Sequence, residues 1–244
     1  MIIRPTIFAR FPNLIAAQST RLGGVSPEPY GMNLSSHVGD LKENVEENRK
    51  RFFASVGIAK DARIVYQSQI HSANVNIVNG DEGILPQSDG LITFEKNVFL
   101  AVSVADCTPV LIYAPDIEAI AAIHAGWRGT EQMIVLKAAM MLKDRGADLS
   151  KAFAFVGASA SKDRYEVGSE VATLFDKRHS NEKPDGKFLL DVKGANVEQL
   201  TNAGIPQFHI EVSDLCTISD DRLHSYRRDG SRSGRMLVVF GRTA

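Results

Sequence analysis

Apolar positions in this chain recur with two periods, and these divide it into strand-like and helix-like segments. The middle of the chain carries a dense group of short apolar runs, rich in Val, Ile and Ala and separated by turn-forming residues. We expect β-strands over residues 63–66, 75–78, 90–94, 98–104, 110–114, 119–124, 153–157 and 236–240.

The first predicted helix follows a pattern typical of a capping box. Asp40 stands where an N-cap residue is expected, and Glu43 follows three positions later. The helix should end near Gly57. Its core-facing side chains are expected to be Val45, Phe52 and Phe53.

Three further helices are predicted from helical spacing and end signals. One runs from Thr130 to Arg145, with Gly146 as its C-terminal cap, and another covers residues 169–177. The last begins at Asp191, which serves as the N-cap, and ends at Gly204. The apolar face of the helix after Thr130 comprises Ile134, Leu136, Ala138, Met141 and Leu142.

The density of strands with few helices between them decides the predicted fold class. It argues against a doubly wound parallel sheet and favours a mixed-sheet α/β (α+β) sandwich with helices outside. No linker or internal repeat divides the sequence, so we expect one domain over residues 1–244.

Composition and charge limit the class of protein and the cellular compartment that we expect. The chain is 44% hydrophobic and has a net charge of −1, which indicates a folded core and argues against a nucleic-acid binder. Two cysteines make no disulfide framework, and no signal peptide or membrane-length apolar run is visible. We therefore expect a cytoplasmic protein without a membrane partner; the sequence carries no signal for an oligomeric state.

Three residues with metal-binding or nucleophilic side chains stand at the ends of strand-like runs. They are His71, Cys107 and His124. Two imidazoles and a thiolate suit zinc, and three protein ligands leave a fourth position for water or substrate. The residues are too far apart in sequence for a compact metal motif, so adjacent strands would have to bring them together. Hydrogen-bonded structural histidines and an inert packed cysteine are the alternative.

The same residues also support a metal-free catalytic interpretation. Cys107 could be a thiolate nucleophile in a hydrolase or amidase, with His71 or His124 as the base and Asp106 as the residue that orients it. The sequence does not separate the two, because both need a thiolate beside imidazoles.

Two segments could bind an anionic substrate. In the first, Gly126 and Gly129 permit unusual backbone angles, and a helix starting at Thr130 would direct free N–H groups toward an anion beside Arg128. In the second, an aromatic residue adjoins two arginines that could bind phosphate or ribose, although a surface ion-pair cluster is the alternative. These three residues are Tyr226, Arg227 and Arg228.

Taken together, the motifs resemble the YfiH-type laccase-domain family, also described as zinc-dependent purine nucleoside phosphorylases. The resemblance covers most of the chain, in family order, and the combination of motifs is far more specific than any one of them. The motifs are Thr20-Arg21-Leu22-Gly23-Gly24-Val25-Ser26, Asn33-Leu34, His37-Val38-Gly39-Asp40, Gln69-Ile70-His71, Ala105-Asp106-Cys107, His124 through Gly129, Tyr165-Glu166-Val167-Gly168 and Ser225 through Asp229.

The resemblance implies an α/β/β/α sandwich that binds one zinc ion through His71, Cys107 and His124. It also implies phosphorolysis of adenosine and inosine to ribose 1-phosphate and free base, with methylthioadenosine cleavage and adenosine deamination as further activities. Substrate or phosphate would lie near Arg21, Asn33, Arg128 and residues 226–228. For the proton donor to the leaving base the sequence offers four residues, namely Asp106, Glu166, His37 and His224.

The sequence departs from the family pattern at Ser72, where the family often has Gly, and over residues 157–162. These departures bear on substrate preference.

The family has an older name as a copper oxidase, but this chain has too few histidines to hold several copper ions. The chain has six histidines and no His-x-His pair, too few for a coupled copper cluster, and a polyphenol oxidase activity is disfavoured. A single copper ion could still replace zinc at the three-residue site.

Overall fold

The computed structural model describes residues 2–81 and 85–243, which form β-strands, α-helices and short 3-10 turns. The strands are β1 (Ile2–Ile3), β2 (Leu14–Ser19), β3 (Arg63–Tyr66), β4 (Val75–Ile77), β5 (Gly90–Thr93), β6 (Val98–Val104), β7 (Thr108–Ala114), β8 (Ala119–Ala125), β9 (Phe153–Val156), β10 (Glu166–Val167), β11 (Ser180–Glu182), β12 (Phe188–Leu190), β13 (Ile210–Val212) and β14 (Met236–Arg242). The helices are α1 (Lys42–Val56), α2 (Trp127–Glu131), α3 (Ile134–Asp144), α4 (Ser169–Ala172), α5 (Val192–Ala203) and α6 (Tyr226–Asp229). No helix in these described ranges combines the length and apolar character that crossing a bilayer requires.

Two large mixed sheets organise the molecule. The five-stranded sheet has the order β1-β2-β14-β6-β3, and the six-stranded sheet has the order β13-β9-β7-β8-β5-β4. Most neighbours are antiparallel, while β3 pairs with β6, β4 with β5 and β13 with β9 in parallel. A small antiparallel sheet, β10-β12-β11, lies apart from both.

The two large sheets pack face to face between outer helices. Alternate residues of β6 show this directly: Leu100 and Val102 pack toward the six-stranded sheet, whereas Phe99 and Ala101 pack with α1. Helices α3 and α5 cover the opposite face of the six-stranded sheet. Central strands are thus buried on both faces, which explains their nearly continuous apolar sequences. The arrangement is the α/β/β/α sandwich that the sequence predicted.

Helix α1 confirms the predicted end and corrects the predicted start. Gly57 adopts the left-handed conformation with φ of 85°, as a C-terminal cap should. The helix begins at Lys42, however, and its N-cap residue Leu41 makes no side-chain capping bond. The predicted capping box is wrong because Asp40 accepts hydrogen bonds from Ser26 and Asn33 instead.

The single helix predicted from Thr130 to Arg145 is also wrong, because the chain breaks into α2 and α3 at Met133, whose φ is 64°. A buried side chain of α5 replaces the helical bonds lost there. The Gln199 amide donates to the Thr130 carbonyl at 2.7 Å and accepts from the Leu136 N–H at 3.2 Å. Side-chain hydrogen bonds of this kind stabilise a break that propensity alone does not signal.

Elsewhere the sequence predicted the long elements better than the short ones. The helix from Asp191 to Gly204 is confirmed at both caps, and each of the eight predicted strands is present within two residues of its bounds. The predicted helix over residues 169–177 shortens to α4, and strands β1, β2 and β10 to β13 were missed. Most of these missed strands are only two or three residues long, which is too short to show the alternation of apolar and polar residues that marks a strand.

Replacing Asp191 with Ala should lower the free energy of unfolding by about 1 kcal/mol, because the Gly194 N–H at the start of α5 loses its acceptor. Chemical denaturation measures this change. The Asp191→Asn variant keeps an acceptor and should lose much less. Equal losses in the two variants would contradict the capping role.

Candidate metal centre and its cleft

His71, Cys107 and His124 converge at one end of the sandwich. Their ligand atoms all lie within 4.8 Å of one another, and Cys107 Sγ is 3.8 Å from His71 Nε2. The strand register explains how Cys107 and His124 meet, because β7 pairs with β8 and places Pro109 opposite His124. His71 joins them from the loop that follows β3.

The loop that carries His71 is held by one buried carboxylate. Asp89 is fully buried and accepts hydrogen bonds from the backbone N–H groups of Ile70, His71 and Ser72 at 3.2, 3.0 and 2.7 Å. Three converging donors stabilise the left-handed conformation of His71, whose φ is 59°. The side chain of Gln69 adds a second anchor through two 2.8 Å bonds to the backbone of Ser103.

The same carboxylate orients His124. The Nδ1 of His124 lies 2.8 Å from Asp89 Oδ1, where it donates to the carboxylate, so Nε2 is the nitrogen available to a metal. Asp89 therefore positions both imidazoles at once. Asp89 was not predicted as a site residue, because its only signal in the sequence is an acidic side chain directly before the buried strand β5.

Electrostatics favour the charged forms of these groups. Burial raises the pKa of the Cys107 thiol, but the His124 charge and hydrogen bonds from His124 and His71 outweigh it and lower that pKa to about 6. Burial lowers the pKa of His124, yet the thiolate and Asp89 raise it to about 9. For Asp89, hydrogen bonds from His124 and Ser72 overcome burial and bring the pKa to about 2. The cluster thus provides the thiolate that metal ligation or nucleophilic attack needs.

Glycines let the backbone pass close to this cluster. A Cβ atom at Gly126 would lie 3.0 Å from both Cys107 Sγ and His71 Cδ2, and one at Gly129 would lie 2.8 Å from the Ser72 carbonyl oxygen. Neither glycine has a positive φ, so the expectation of unusual backbone angles is wrong. Close approach requires glycine here. The three donors, one thiolate and two imidazoles, fit a zinc-type ion with one side open to the cleft.

A cleft of about 750 Å³ opens over the cluster, and three arginines line it. Each guanidinium stacks on an aromatic ring of the same wall, at 4.3 to 5.4 Å from the ring centroid. The pairs are Arg128 over Trp127, Arg227 over Tyr165 and Arg235 over Tyr226. Stacking fixes the guanidinium planes. Arg227 and Arg235 each donate from Nη1 to backbone carbonyls, so Nη2 is the terminal amino group that each has left for an anion.

Three of these stacked residues were not predicted as site residues. Trp127 and Tyr165 stood only within motifs, and Arg235 carried no signal in the sequence. Burial and the nearby thiolate raise the pKa of Tyr165 to about 12, so its phenol keeps its proton and can donate a hydrogen bond.

Three residues expected beside the substrate lie elsewhere, since the described residues that line the cleft do not include Arg21, Asn33 or Arg228. Arg21 pairs with Glu28 at 2.5 Å. The fully buried Asn33 amide bonds to Asp40 and to the Ser35 backbone, so a substrate cannot reach it.

Arg228 is a structural arginine. Its guanidinium donates to the carbonyls of Thr217 and Leu223 and pairs with Asp229 at 2.8 Å. It thereby fixes the turn that presents Tyr226 and Arg227, which do line the cleft. Of the three residues that the sequence predicted in this segment, Tyr226 and Arg227 line the cleft and Arg228 does not.

The four candidate proton donors differ in their contacts and in their position relative to the cleft. Glu166 accepts from Lys183 and Lys187, and His224 is fully buried and its pKa falls to about 3 through burial and the charges of Arg21 and Arg235. Neither is among the described residues lining the cleft.

Asp106 and His37 both line the cleft. Asp106 accepts hydrogen bonds from the Thr217 hydroxyl and the Arg227 N–H, each at 2.6 Å, which fixes the loop after β6. Within the described residues these partners do not include either imidazole, so Asp106 as the orienting residue is wrong, and Asp89 has that position. The ring of His37 is exposed and makes no hydrogen bond within the described part of the chain.

Comparison with known proteins identifies the family. The sequence pattern of one family, described as Multi-copper polyphenol oxidoreductase laccase, matches residues 15–243. The chain belongs to this family. Its relatives include a purine nucleoside phosphorylase of Corynebacterium glutamicum, 36% identical over 91% of this chain and 92% of that protein. One from Deinococcus radiodurans is 37% identical over 95% of this chain and 91% of that protein.

Two solved structures share the same fold. YlmD from Geobacillus stearothermophilus has a TM-score of 0.90 at 32% identity, over 96% of this chain and 93% of that one. YfiH from Bacillus licheniformis has a TM-score of 0.89 at 29% identity, over 97% and 94%. Both the predicted family and the predicted sandwich are confirmed.

The Asp89→Asn variant should bind metal about 10–100-fold more weakly, because an amide places N–H donors where the loop and His124 need acceptors. Competition with a chromogenic chelator measures the affinity. The matched control is Asp81→Asn, which removes an exposed carboxylate paired with Arg63. If both variants bind metal alike, Asp89 does not organise the centre.

In metal-free protein the alkylation rate of Cys107 should rise with pH around a midpoint near 6. The sign follows from the lowered pKa: the thiolate prevails above that pH and is lost below it. Measuring iodoacetamide rates in a Cys216→Ser background removes the second thiol. Replacing His124 with Gln should move the midpoint upward, and a midpoint near 9 in the parent would contradict the pairing.

Proposed function

We propose that this laccase-family protein is a zinc-dependent purine nucleoside phosphorylase that cleaves adenosine and inosine with phosphate. The observation that carries the proposal is the open His71–Cys107–His124 cluster inside a cleft lined by three stacked arginines. Relatives named purine nucleoside phosphorylase support the same reaction. Methylthioadenosine cleavage and adenosine deamination stay predictions from the family resemblance.

The arginines provide the phosphate site in this proposal. Arg128 and the Nη2 groups of Arg227 and Arg235 would donate to phosphate oxygens, and stacking on the aromatic rings limits the side-chain entropy lost on binding. Holding phosphate against C1′ of the ribose lets a phosphate oxygen form the C1′–O bond as the C1′–N9 bond breaks. The electron pair then leaves with the purine, which takes up a proton.

His37 is the proposed donor of that proton. Of the four candidates it alone combines a position in the cleft with an exposed ring that makes no hydrogen bond within the described residues. Tyr165 and Tyr226 would flank the base or ribose and exclude water.

His71, Cys107 and His124 are the proposed zinc ligands, and Asp89 positions both imidazoles. When bound, zinc supplies a Lewis acid that polarises a phosphate or substrate oxygen. Zinc suits this mixed nitrogen and sulfur set, and copper could replace it because it binds such ligands more tightly. Within the described residues one group of three or more metal-ligating side chains is found, which matches one ion and not a coupled copper cluster.

A metal-free cysteine hydrolase or amidase is the second candidate function. It is favoured by the chain of contacts from Cys107 to His124 to Asp89, which places nucleophile, base and orienting carboxylate in sequence. That mechanism requires no metal and predicts that thiol alkylation abolishes turnover of a small amide or ester in metal-free protein.

Replacing Cys107 with Ala should remove both bound zinc and phosphorolysis of adenosine and inosine. Elemental analysis measures the metal, and formation of ribose 1-phosphate measures the reaction. The matched control is Cys216→Ser, which alters the other cysteine, outside the described lining of the cleft, and should keep both properties.

The outcomes separate the two candidate functions. About one zinc ion per chain with phosphate-dependent turnover in the parent supports the phosphorylase. Turnover that survives in a zinc-free Cys107→Ala variant contradicts it. Hydrolysis of an amide or ester by zinc-free parent, lost on alkylation, would favour the cysteine hydrolase.

A further inference from the structure

A second cavity of about 290 Å³ adjoins the cleft on the side of α1. We call it the side chamber. It shares five lining residues with the cleft, so a ligand group could extend from one into the other. The shared residues are Ser35, His37, Gln67, Gln69 and Ser103.

The side chamber contains an arginine that is held in place without an acidic partner. Arg49 donates from Nε to the Leu34 carbonyl at 2.9 Å, and its guanidinium stacks 4.7 Å from the centroid of the Tyr66 ring. Its two terminal amino groups have no hydrogen-bond or carboxylate partner within residues 2–81 and 85–243. The neighbouring Arg51 differs, because it pairs with Glu47 at 2.8 Å as a surface arginine usually does.

The remaining lining suits an anion. None of the described residues that line the side chamber is Asp or Glu, so Arg49 gives it a net positive charge. Serine hydroxyls at positions 35 and 36 can donate hydrogen bonds.

Gln67 provides a further donor that lacks an acceptor. Its Oε1 accepts from the Ser88 hydroxyl at 3.2 Å, whereas its Nε2 is buried and has no partner in the described part of the chain. Burying a donor without an acceptor is costly. Gln67 lines the side chamber, where a bound anion would offer oxygen acceptors.

We propose that the side chamber is a second anion site, in which Arg49 binds a phosphate group. Two sources share this chemistry, namely free inorganic phosphate and the phosphoryl group of a nucleoside monophosphate held in the cleft. The nucleotide source rests on the proposed function, whereas the anion site itself does not. A guanidinium with a fixed plane and two free amino groups fits either one through paired hydrogen bonds.

Calorimetric titration of the protein, as purified with its metal, with inorganic phosphate, AMP and adenosine tests this proposal. The variant is Arg49→Met, which keeps an unbranched side chain on α1. The matched control is Arg51→Met, which makes the same change two residues away and should bind all three ligands like the parent. Thermal melting of both variants shows that they are folded.

If the source is free phosphate, Arg49→Met should weaken phosphate binding about tenfold or more. If the source is a nucleotide, the parent should bind AMP about tenfold more tightly than adenosine, and Arg49→Met should bring that ratio close to one. The proposal is overturned if neither phosphate affinity nor the AMP-to-adenosine ratio depends on Arg49. If the parent protein shows Arg49-dependent phosphate binding but no phosphorolysis of adenosine or inosine, the result contradicts the proposed function and not the anion site.

Discussion

The arrangement of the candidate metal ligands depends on the hydrogen bonds of one buried carboxylate, that of Asp89. It accepts hydrogen bonds from the backbone N–H groups of three consecutive loop residues and from Nδ1 of His124. One side chain thus positions candidate ligands from two separate elements. A buried charge is costly unless it is fully hydrogen-bonded, and these donors satisfy that condition. The site is therefore organised by the protein before any ion binds.

The sandwich supplies the rigid frame for this arrangement. Strands β6, β7 and β8 are buried on both faces, and the residues at their ends emerge at one edge of the structure. Close packing of the two sheets holds those ends at fixed separations. Loops then contribute the functional groups, with glycine at the points where the backbone must pass within contact distance of a ligand residue.

The sequence predicted what is encoded locally and missed what depends on tertiary contacts. Central strands, the caps of α5 and the three candidate metal ligands carry local signals, and each was located from residue type and position. The role of Asp89 depends on Ser72 and His124, which are distant in sequence, and that of Arg235 depends on stacking over Tyr226. No period or motif reveals either contact. Asn33 and Arg228 show the reverse case, because residues in recognisable motifs turn out to brace the loops that carry the cleft.

Because the chain breaks between α2 and α3, the position of Arg128 in the cleft depends on the length of one short segment, α2. Gly126 lies close against Cys107 and His71 at one end of this segment, and the Gln199 amide fixes Thr130 at the other. Arg128 lies between these two attachments, so α2 acts as a spacer of set length. An insertion or deletion inside it would rotate the guanidinium away from the cleft even if every residue type at the site were retained.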